Sequence, residues 1–443
     1  MRRRVSVSLV AVVAMIAGCS WARFDDLEEN ASVLVLKQPS GMPGFGASVT
    51  AAADGNRVLV LAAGSPKASN GAAVFELGQG QEANLDAFDV GQCNTNDCVV
   101  ARTVAALPVA QSPSGLAKSA CWVAGFQKQP VGDPALSVAC TEVGQQRFLY
   151  SLPLPFVADA DTDELNLASE SLPAVGSPPG ATALIAGIPK LNGSASGAAV
   201  GFAAASTTPL NLVPGTNAET FGAAVAVFRS GGSRRFLVGA PDRGELWVFD
   251  EAGQEVGCLS GDPEFARRVA TGDVDGDGGD EVVVATATEV QVVNGAAVAA
   301  LNQPGVCQKV AAKDVLVTLR CRKTSDVDGC PGGFGDALAV GDIDGDGDGE
   351  VAVGAPRARV RGSGSAGAVY VFDVELGAAD PELVTEERFL ASAAGGDRLG
   401  TSVAFAPQKD RHILVAGAPG GGKVAIFYCS RLLSSGQRGK RCK

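Results

Sequence analysis

The chain has 443 residues, 46% of them hydrophobic but only 5% aromatic, with 57 glycines and 23 prolines. That apolar fraction excludes a disordered chain, and a formal net charge of −12 disfavours nucleic acid phosphate as a partner. Abundant glycine between short apolar runs points to many strands and many turns, and a repeat fold can use this much chain as one unit.

Arg2, Arg3 and Arg4 precede an apolar run from Val5 to Ala17. The run is shorter than the roughly 20 residues that cross a bilayer as a helix, and it reads as an export signal over residues 1–18. It ends in Ile16-Ala17-Gly18-Cys19, which resembles the lipobox of bacterial lipoproteins. That resemblance implies that Cys19 receives a diacylglyceryl thioether and becomes the mature N-terminus, with two acyl chains where one anchors only marginally. Ser20 follows, not Asp, which by the same resemblance permits sorting to an outer membrane, so the expected location is the bacterial cell envelope, at the outer membrane rather than the inner. Residues 19–31, with several Asp and Glu, then form an acidic tether.

One phrase recurs from there on. It opens on Phe-Gly, continues through a short strand and a loop, and reaches a second strand ending in Gly-Ala-Pro, followed by a third strand. The clearest copy has Phe334-Gly335, Leu338 to Gly341, Val351 to Pro356 and Ala368 to Phe372. Others start at Phe45-Gly46, Phe221-Gly222 and Leu399-Gly400, with Gly64-Ser65-Pro66, Gly239-Ala240-Pro241 and Gly417-Ala418-Pro419 at their second strands. Weaker copies run from Gly115-Leu116 to Leu152, from Ala183 through Gly187-Ile188-Pro189 to Phe202, and from Phe265-Ala266 to Val293, the last with Ala-Thr-Ala in place of Gly-Ala-Pro. These seven copies resemble the FG-GAP repeat of the seven-bladed β-propeller in integrin α subunits, over residues 32–430. The resemblance implies an all-β ring of small antiparallel sheets that bury each other's faces. The stretch Ser32 to Leu36 is expected to add a strand to the last blade and close the ring, and residues 431–443 to form a basic tail.

Two segments carry chemistry: Asp273-Val-Asp275-Gly-Asp277-Gly-Gly279-Asp-Glu281 and Asp342-Ile-Asp344-Gly-Asp346-Gly-Asp348-Gly-Glu350. Carboxylates stand at loop positions 1, 3, 5 and 9, an oxygen-rich spacing suited to Ca²⁺, with Gly278 and Gly347 permitting a sharp turn at position 6 and the carbonyls of Gly279 and Asp348 available at position 7. Position 12 is Val284 in one and Val353 in the other, and strands follow both, so neither is an EF-hand. The resemblance places each loop between the first and second strands of a blade, with Glu at position 9 where that family usually has Asp. At least two Ca²⁺ sites with a structural role are expected. Asp159-Ala-Asp161-Thr-Asp163 and Asp326-Val-Asp328-Gly-Cys330 are weaker look-alikes.

Besides Cys19 there are ten cysteines, Cys93, Cys98, Cys121, Cys140, Cys258, Cys307, Cys321, Cys330, Cys429 and Cys442, an even count that reads as disulfides in an exported protein. Proximity suggests Cys93–Cys98, Cys121–Cys140, Cys321–Cys330 and Cys429–Cys442, which leaves Cys258 with Cys307; the connectivity itself stays open. One histidine, His412, and no paired C-x-x-C argue against zinc. His412 is expected at a surface or strand edge with its bonds satisfied, which disfavours Ser–His–Asp catalysis. The glycine runs at Gly417–Lys423 and Gly362–Gly367 precede strands and so make neither a P-loop nor a dinucleotide fingerprint. These readings converge on a lipid-anchored binding, adhesion or scaffolding module for a protein or glycan partner, not an enzyme. Two other readings stay open: a polysaccharide hydrolase or lyase working in the propeller's central channel, and a purely structural envelope protein.

Overall fold

The computed structural model describes residues 32–54, 57–63, 72–77, 82–88, 98–108, 120–127, 135–142, 145–155, 165–170, 183–190, 197–204, 206–215, 220–321, 323, 327–374, 386–391, 394–407 and 412–428. Short runs of Val, Ala and Leu between glycine turns become strands, as β-branched and small side chains fit a pleated, buried surface. Among the described residues these strands form seven sheets of four or five strands and one two-stranded ribbon. Each large sheet is built on antiparallel neighbours that follow one another along the chain. In the sheet of 224–260, for example, Ala224–Ser230, Ser233–Ala240, Glu245–Asp250 and Glu255–Ser260 pair antiparallel in sequence order.

The first strand of each sheet lies against the first strand of the next. Ser48–Asp54 meets Cys98–Pro108, which meets Asn166–Ser169; Ala224–Ser230, Arg268–Gly272, Ala337–Gly341 and Ser402–Pro407 follow, and the last returns to Ser48–Asp54. This closed circuit makes the all-β fold a propeller. Five blades, those between 166 and 428, are described through most of their side chains as well as their backbone; in the sheets of 48–88 and 98–153 most side chains lie outside the described set. The structure thus gives five blades described at this level where the sequence predicts seven. Ser32–Lys37 pairs with Lys423–Tyr428, from Ser32 opposite Tyr428 to Lys37 opposite Lys423, so the two ends of the described chain share one sheet.

The recurring phrase has a physical explanation that is not visible along a single repeat. Phe45, Phe221, Phe265 and Phe334 are all buried between sheets. Phe45 packs edge-on against Phe75, Phe221 against Phe249, and Phe334 against Tyr370, with ring centroids 5.7, 6.1 and 5.5 Å apart. Like Gly400 after Leu399, at 84°, the residue after each ring turns at positive φ, for example 93° at Gly222 and 63° at Ala266. Its N–H donates to the Gly-Ala-Pro glycine of its own blade, as in Gly222 to Gly239 at 3.1 Å and Gly400 to Gly417 at 3.0 Å. Its carbonyl oxygen meanwhile lies against the corresponding glycine of the preceding blade: Gly46 on Gly417, Gly222 on Gly187, Gly400 on Gly354, and Ala266 on Gly239. A Cβ on any of those four glycines would collide with backbone.

Two disulfides are described, Cys258–Cys307 and Cys321–Cys330. Cys121 is also disulfide-bonded and stands opposite Cys140 in strand register. The other cysteines, Cys19, Cys93, Cys98, Cys429 and Cys442, lie outside the described side chains, as do the signal, the tether and the tail. The Cys258–Cys307 bond accompanies an arrangement the sequence does not announce. After a short helix, Gly295–Ala299, the chain crosses to the neighbouring blade, and Cys307–Lys309 runs parallel to Glu255–Ser260 as its fifth strand. No helix among the described residues is long and apolar enough to cross a membrane.

The glycine contact predicts a specific sensitivity. Gly354→Ala forces a methyl into the Gly400 backbone and should cost about 1–3 kcal/mol, the range for overpacking. Gly364→Ala, where a Cβ meets nothing within 4 Å, should shift stability by less than about 0.5 kcal/mol. Paired thermal melts check this; equal melting temperatures for the two variants would contradict it.

Candidate metal centre

The acidic segments lie where predicted. Residues 273–280 join Arg268–Gly272 to Glu281–Ala285, and 342–349 join Ala337–Gly341 to Glu350–Ala355. The turn at position 6 has positive φ, 88° at Gly278 and 106° at Gly347, but so has position 4, with 73° at Gly276 and 82° at Gly345. Two left-handed residues in each loop, which glycine adopts without strain, curl the backbone tightly enough to bring alternate carboxylates together.

Both loops are braced from within by the same two carboxylates, those of positions 1 and 9. The position 1 carboxylate accepts backbone N–H bonds from across the turn: Asp273 Oδ2 from Gly278 at 2.9 Å, and Asp342 from Gly345, Asp346 and Gly347 at 2.6, 3.2 and 3.1 Å. The position 9 glutamate reaches back to the N–H of position 2, Glu281 to Val274 at 3.0 Å and Glu350 to Ile343 at 2.7 Å. Val274 and Ile343 are themselves buried and pin the loop to the core. The longer side chain at position 9 thus suits a contact made twice in the molecule.

Carboxylate oxygens of Asp273, Asp275 and Glu281 lie within 4.8 Å of one another, as do those of Asp342, Asp344 and Asp346, and those of Asp346, Asp348 and Glu350. These groups could hold a metal ion. Asp277 stands outside the first trio, and its Oδ1 accepts the Gly279 N–H at 2.7 Å. Asp348, whose carbonyl the sequence offers at position 7, also brings its side chain into the second loop's cluster. Asp273 Oδ1 and Asp348 Oδ1 are buried with no hydrogen-bond partner, a state that costs roughly 1–3 kcal/mol per group and that a cation would relieve.

Burial raises the pKa of these carboxyls, and the neighbouring negative charges add to it. Glu281 is pushed up to about 7, Asp348 likewise to about 7, and Glu350 well above the usual range; Asp273 and Asp342 are raised too, against the pull of the N–H bonds they accept. Without a counter-ion the site therefore holds protons that exposed carboxylates would release.

Each loop is also fastened to its neighbours. Asp280, to which the sequence reading assigns no role, is buried. It accepts the Arg229 N–H at 2.9 Å, pairs with the Arg229 guanidinium at 3.3 Å and donates its own N–H to the Arg229 carbonyl at 2.9 Å. On the far side, the His412 N–H donates to the Asp342 carbonyl at 2.6 Å. His412 is only 4% exposed, its Nδ1 has no hydrogen-bond partner, and burial lowers its pKa to about 4. The expectation of a surface or edge histidine with its bonds satisfied is therefore corrected: it opens a strand whose residues are all buried.

No cluster from the weaker loops is seen among the described residues. Asp159, Asp161, Asp163 and Asp326 lie outside the described residues, and Asp328 is exposed and accepts the Gly362 N–H at 2.8 Å. The glycine runs behave as turns: Gly417–Lys423 leads into Lys423–Tyr428, with Lys423 paired to Asp397 at 3.2 Å, and Gly362–Gly367 leads into Ala368–Asp373.

The model of the FG-GAP repeat family matches residues 334–372, the blade that carries the second acidic loop. No curated protein matches the sequence. Two solved structures resemble the fold, both crystal structures of BBS1N in complex with ARL6DN, one soaked with lead and one with mercury. They are 12% and 11% identical, cover 91% and 90% of this chain and 98% of their own, and superpose with a TM-score of 0.48 each.

The protonation pattern predicts how the metal-free protein responds to pH. Glu281 and Asp348 have folded pKa values near 7, above those of the unfolded chain, so their contribution is fully present below about pH 4 and is lost as pH rises through about 7. In excess chelator the melting temperature should fall between about pH 5 and about pH 7.5. A rise across that window would contradict the assignment.

Proposed function

We propose that this FG-GAP β-propeller is a Ca²⁺-braced binding or scaffolding module, held at the bacterial cell envelope by lipid on Cys19, that presents its loops to a protein or glycan partner. The observation that carries the metal reading is the repetition: two loops with one spacing, in one position of two blades, each gathering carboxylates within 4.8 Å. Oxygen-only donors in this number suit Ca²⁺, with affinity on the order of 10⁻⁴–10⁻³ M as in other extracellular modules. Asp273, Asp275, Asp277, Glu281 and the Gly279 carbonyl would hold one ion, and Asp342, Asp344, Asp346, Asp348 and Glu350 the other. The ion supplies positive charge that the loops lack; the chain's own residues set the loop shape through the Glu281 and Glu350 bonds to position 2.

A full ring of seven blades over residues 32–430 belongs to the same proposal. It is supported by seven sheets of four or five strands and by the circuit of first-strand contacts. Binding rather than turnover is favoured because the chain's one imidazole is buried and neutral, and because the position 1 and position 9 carboxylates brace their own loops. The export signal, the diacylated Cys19 and an outer-membrane location rest on the N-terminal residues quoted above.

Asp344→Ala should lower the melting temperature by several degrees in millimolar Ca²⁺ and leave it unchanged or slightly raised in chelator, where one repelling charge has gone. An equal drop in both conditions would refute the metal reading. Cys19→Ser should move the protein from the membrane to the soluble fraction on cell fractionation, and pull-downs with the intact lipoprotein in Ca²⁺ and in chelator should differ in the partner retained. If Cys19→Ser stays in the membrane, the anchor lies elsewhere.

A further inference from the structure

The two acidic loops touch. A Cβ built on Gly349 would stand 2.6 Å from the Asp273 carbonyl oxygen, so the backbone just ahead of Glu350 rests directly on the first residue of the other loop. A Cβ on Gly276 would stand 3.6 Å from Asp348 Cβ and 3.7 Å from the Gly347 carbonyl oxygen. The strands feeding the loops are equally close: a Cβ on Gly272 would meet Val340 Cγ1 at 2.6 Å. At Gly349 and Gly272 the two segments are thus too close to admit a methyl, while at Gly276 an added methyl would just reach contact with the other loop.

From this contact we infer that the two loops are one coupled cation unit, in which an ion in either loop strengthens binding in the other. The inference rests on the reading of both loops as Ca²⁺ sites. Each loop forms a wall of the other, at a backbone carbonyl of position 1 on one side and at positions 6 to 8 on the other. Ordering either loop around an ion fixes that wall, and the second ion then meets a loop whose ordering cost is already met. The neighbouring anchors limit where the motion can go: Asp280 is held by Arg229 on one side of the pair, and the Asp342 carbonyl by His412 on the other.

The test is calorimetric titration of the purified full chain with Ca²⁺, alongside Asp275→Ala and Asp344→Ala, each of which disables one loop. Removing either site should weaken the other by about tenfold, and by the same factor in both directions because coupling is reciprocal. Gly349→Ala keeps every ligand but pushes the loops apart, and should reduce the coupling towards one; a melt in chelator confirms that this variant folds. If each remaining loop binds within twofold of its affinity in the intact chain, or binds more tightly, the coupling is overturned while the Ca²⁺ sites stand. If the intact chain takes up no Ca²⁺ at millimolar concentration, the metal reading itself falls.

Discussion

The fold depends on one contact, made between backbones where no side chain can stand. At four junctions a glycine of one blade's second strand receives the carbonyl oxygen of the turn that opens the next blade: Gly187 from Gly222, Gly239 from Ala266, Gly354 from Gly400 and Gly417 from Gly46. Because that turn also donates its N–H to the equivalent glycine of its own blade at Gly239, Gly354 and Gly417, the two halves of the repeat serve different neighbours. One half sets the blade's own edge and the other sets the distance to the blade before. The junction with Ala-Thr-Ala obeys the same constraint from the other side. There a Cβ on Gly335 would lie 3.0 Å from the Ala285 methyl, so the space is taken by alanine and the following turn keeps the glycine.

With blade spacing set by backbone, the loops at one end of adjacent first strands are brought together regardless of their charge. This is where the 273–281 and 342–350 segments meet. Carboxylates in such a place face desolvation and one another at once, which raises their pKa and leaves buried oxygens without donors. The fold answers with backbone N–H groups, but those are fewer than the oxygens they would have to satisfy. The packing that holds the ring together therefore also concentrates negative charge, and a divalent cation bound there would resolve both the repulsion and the missing donors.

Much of this was legible in the sequence, for identifiable reasons. Strands recur because Val, Ala and Leu runs sit between glycine turns, and the ring closure by Ser32–Lys37 could be anticipated from an apolar run lying ahead of the first Phe-Gly. The two acidic loops were readable because their spacing is local. What could not be read depends on neighbours in space. Asp280 has no motif around it that signals the Arg229 contact, since its partner lies 51 residues away. His412 follows Arg411 and looks like a strand end facing solvent, but the acidic loop of the preceding blade covers it. Counting cysteines paired Cys258 with Cys307, yet nothing local says that Cys307–Lys309 joins another blade's sheet in parallel.

That crossing strand explains how the blade with the first acidic loop is secured at its outer rim. Its third and fourth strands are separated by residues 294–314, far more than a hairpin needs. The excess reaches back to the preceding blade, where it covers the outer edge that Glu255–Ser260 would otherwise present and is bonded there through Cys307. In the other direction, Cys321–Cys330 links the end of its fourth strand to the ribbon of Val327–Gly329 and Arg359–Val360, and the two sulfurs lie 3.6 and 3.3 Å from the Tyr370 hydroxyl of the following blade. Arg267 adds an ion pair to Asp336 and a hydrogen bond to the Phe334 carbonyl at the same boundary. The blade is therefore clamped to both neighbours at rim and core. A segment crowded with like charge would otherwise be the natural place for the ring to open, and cross-links at its two boundaries oppose that opening whether or not an ion is bound.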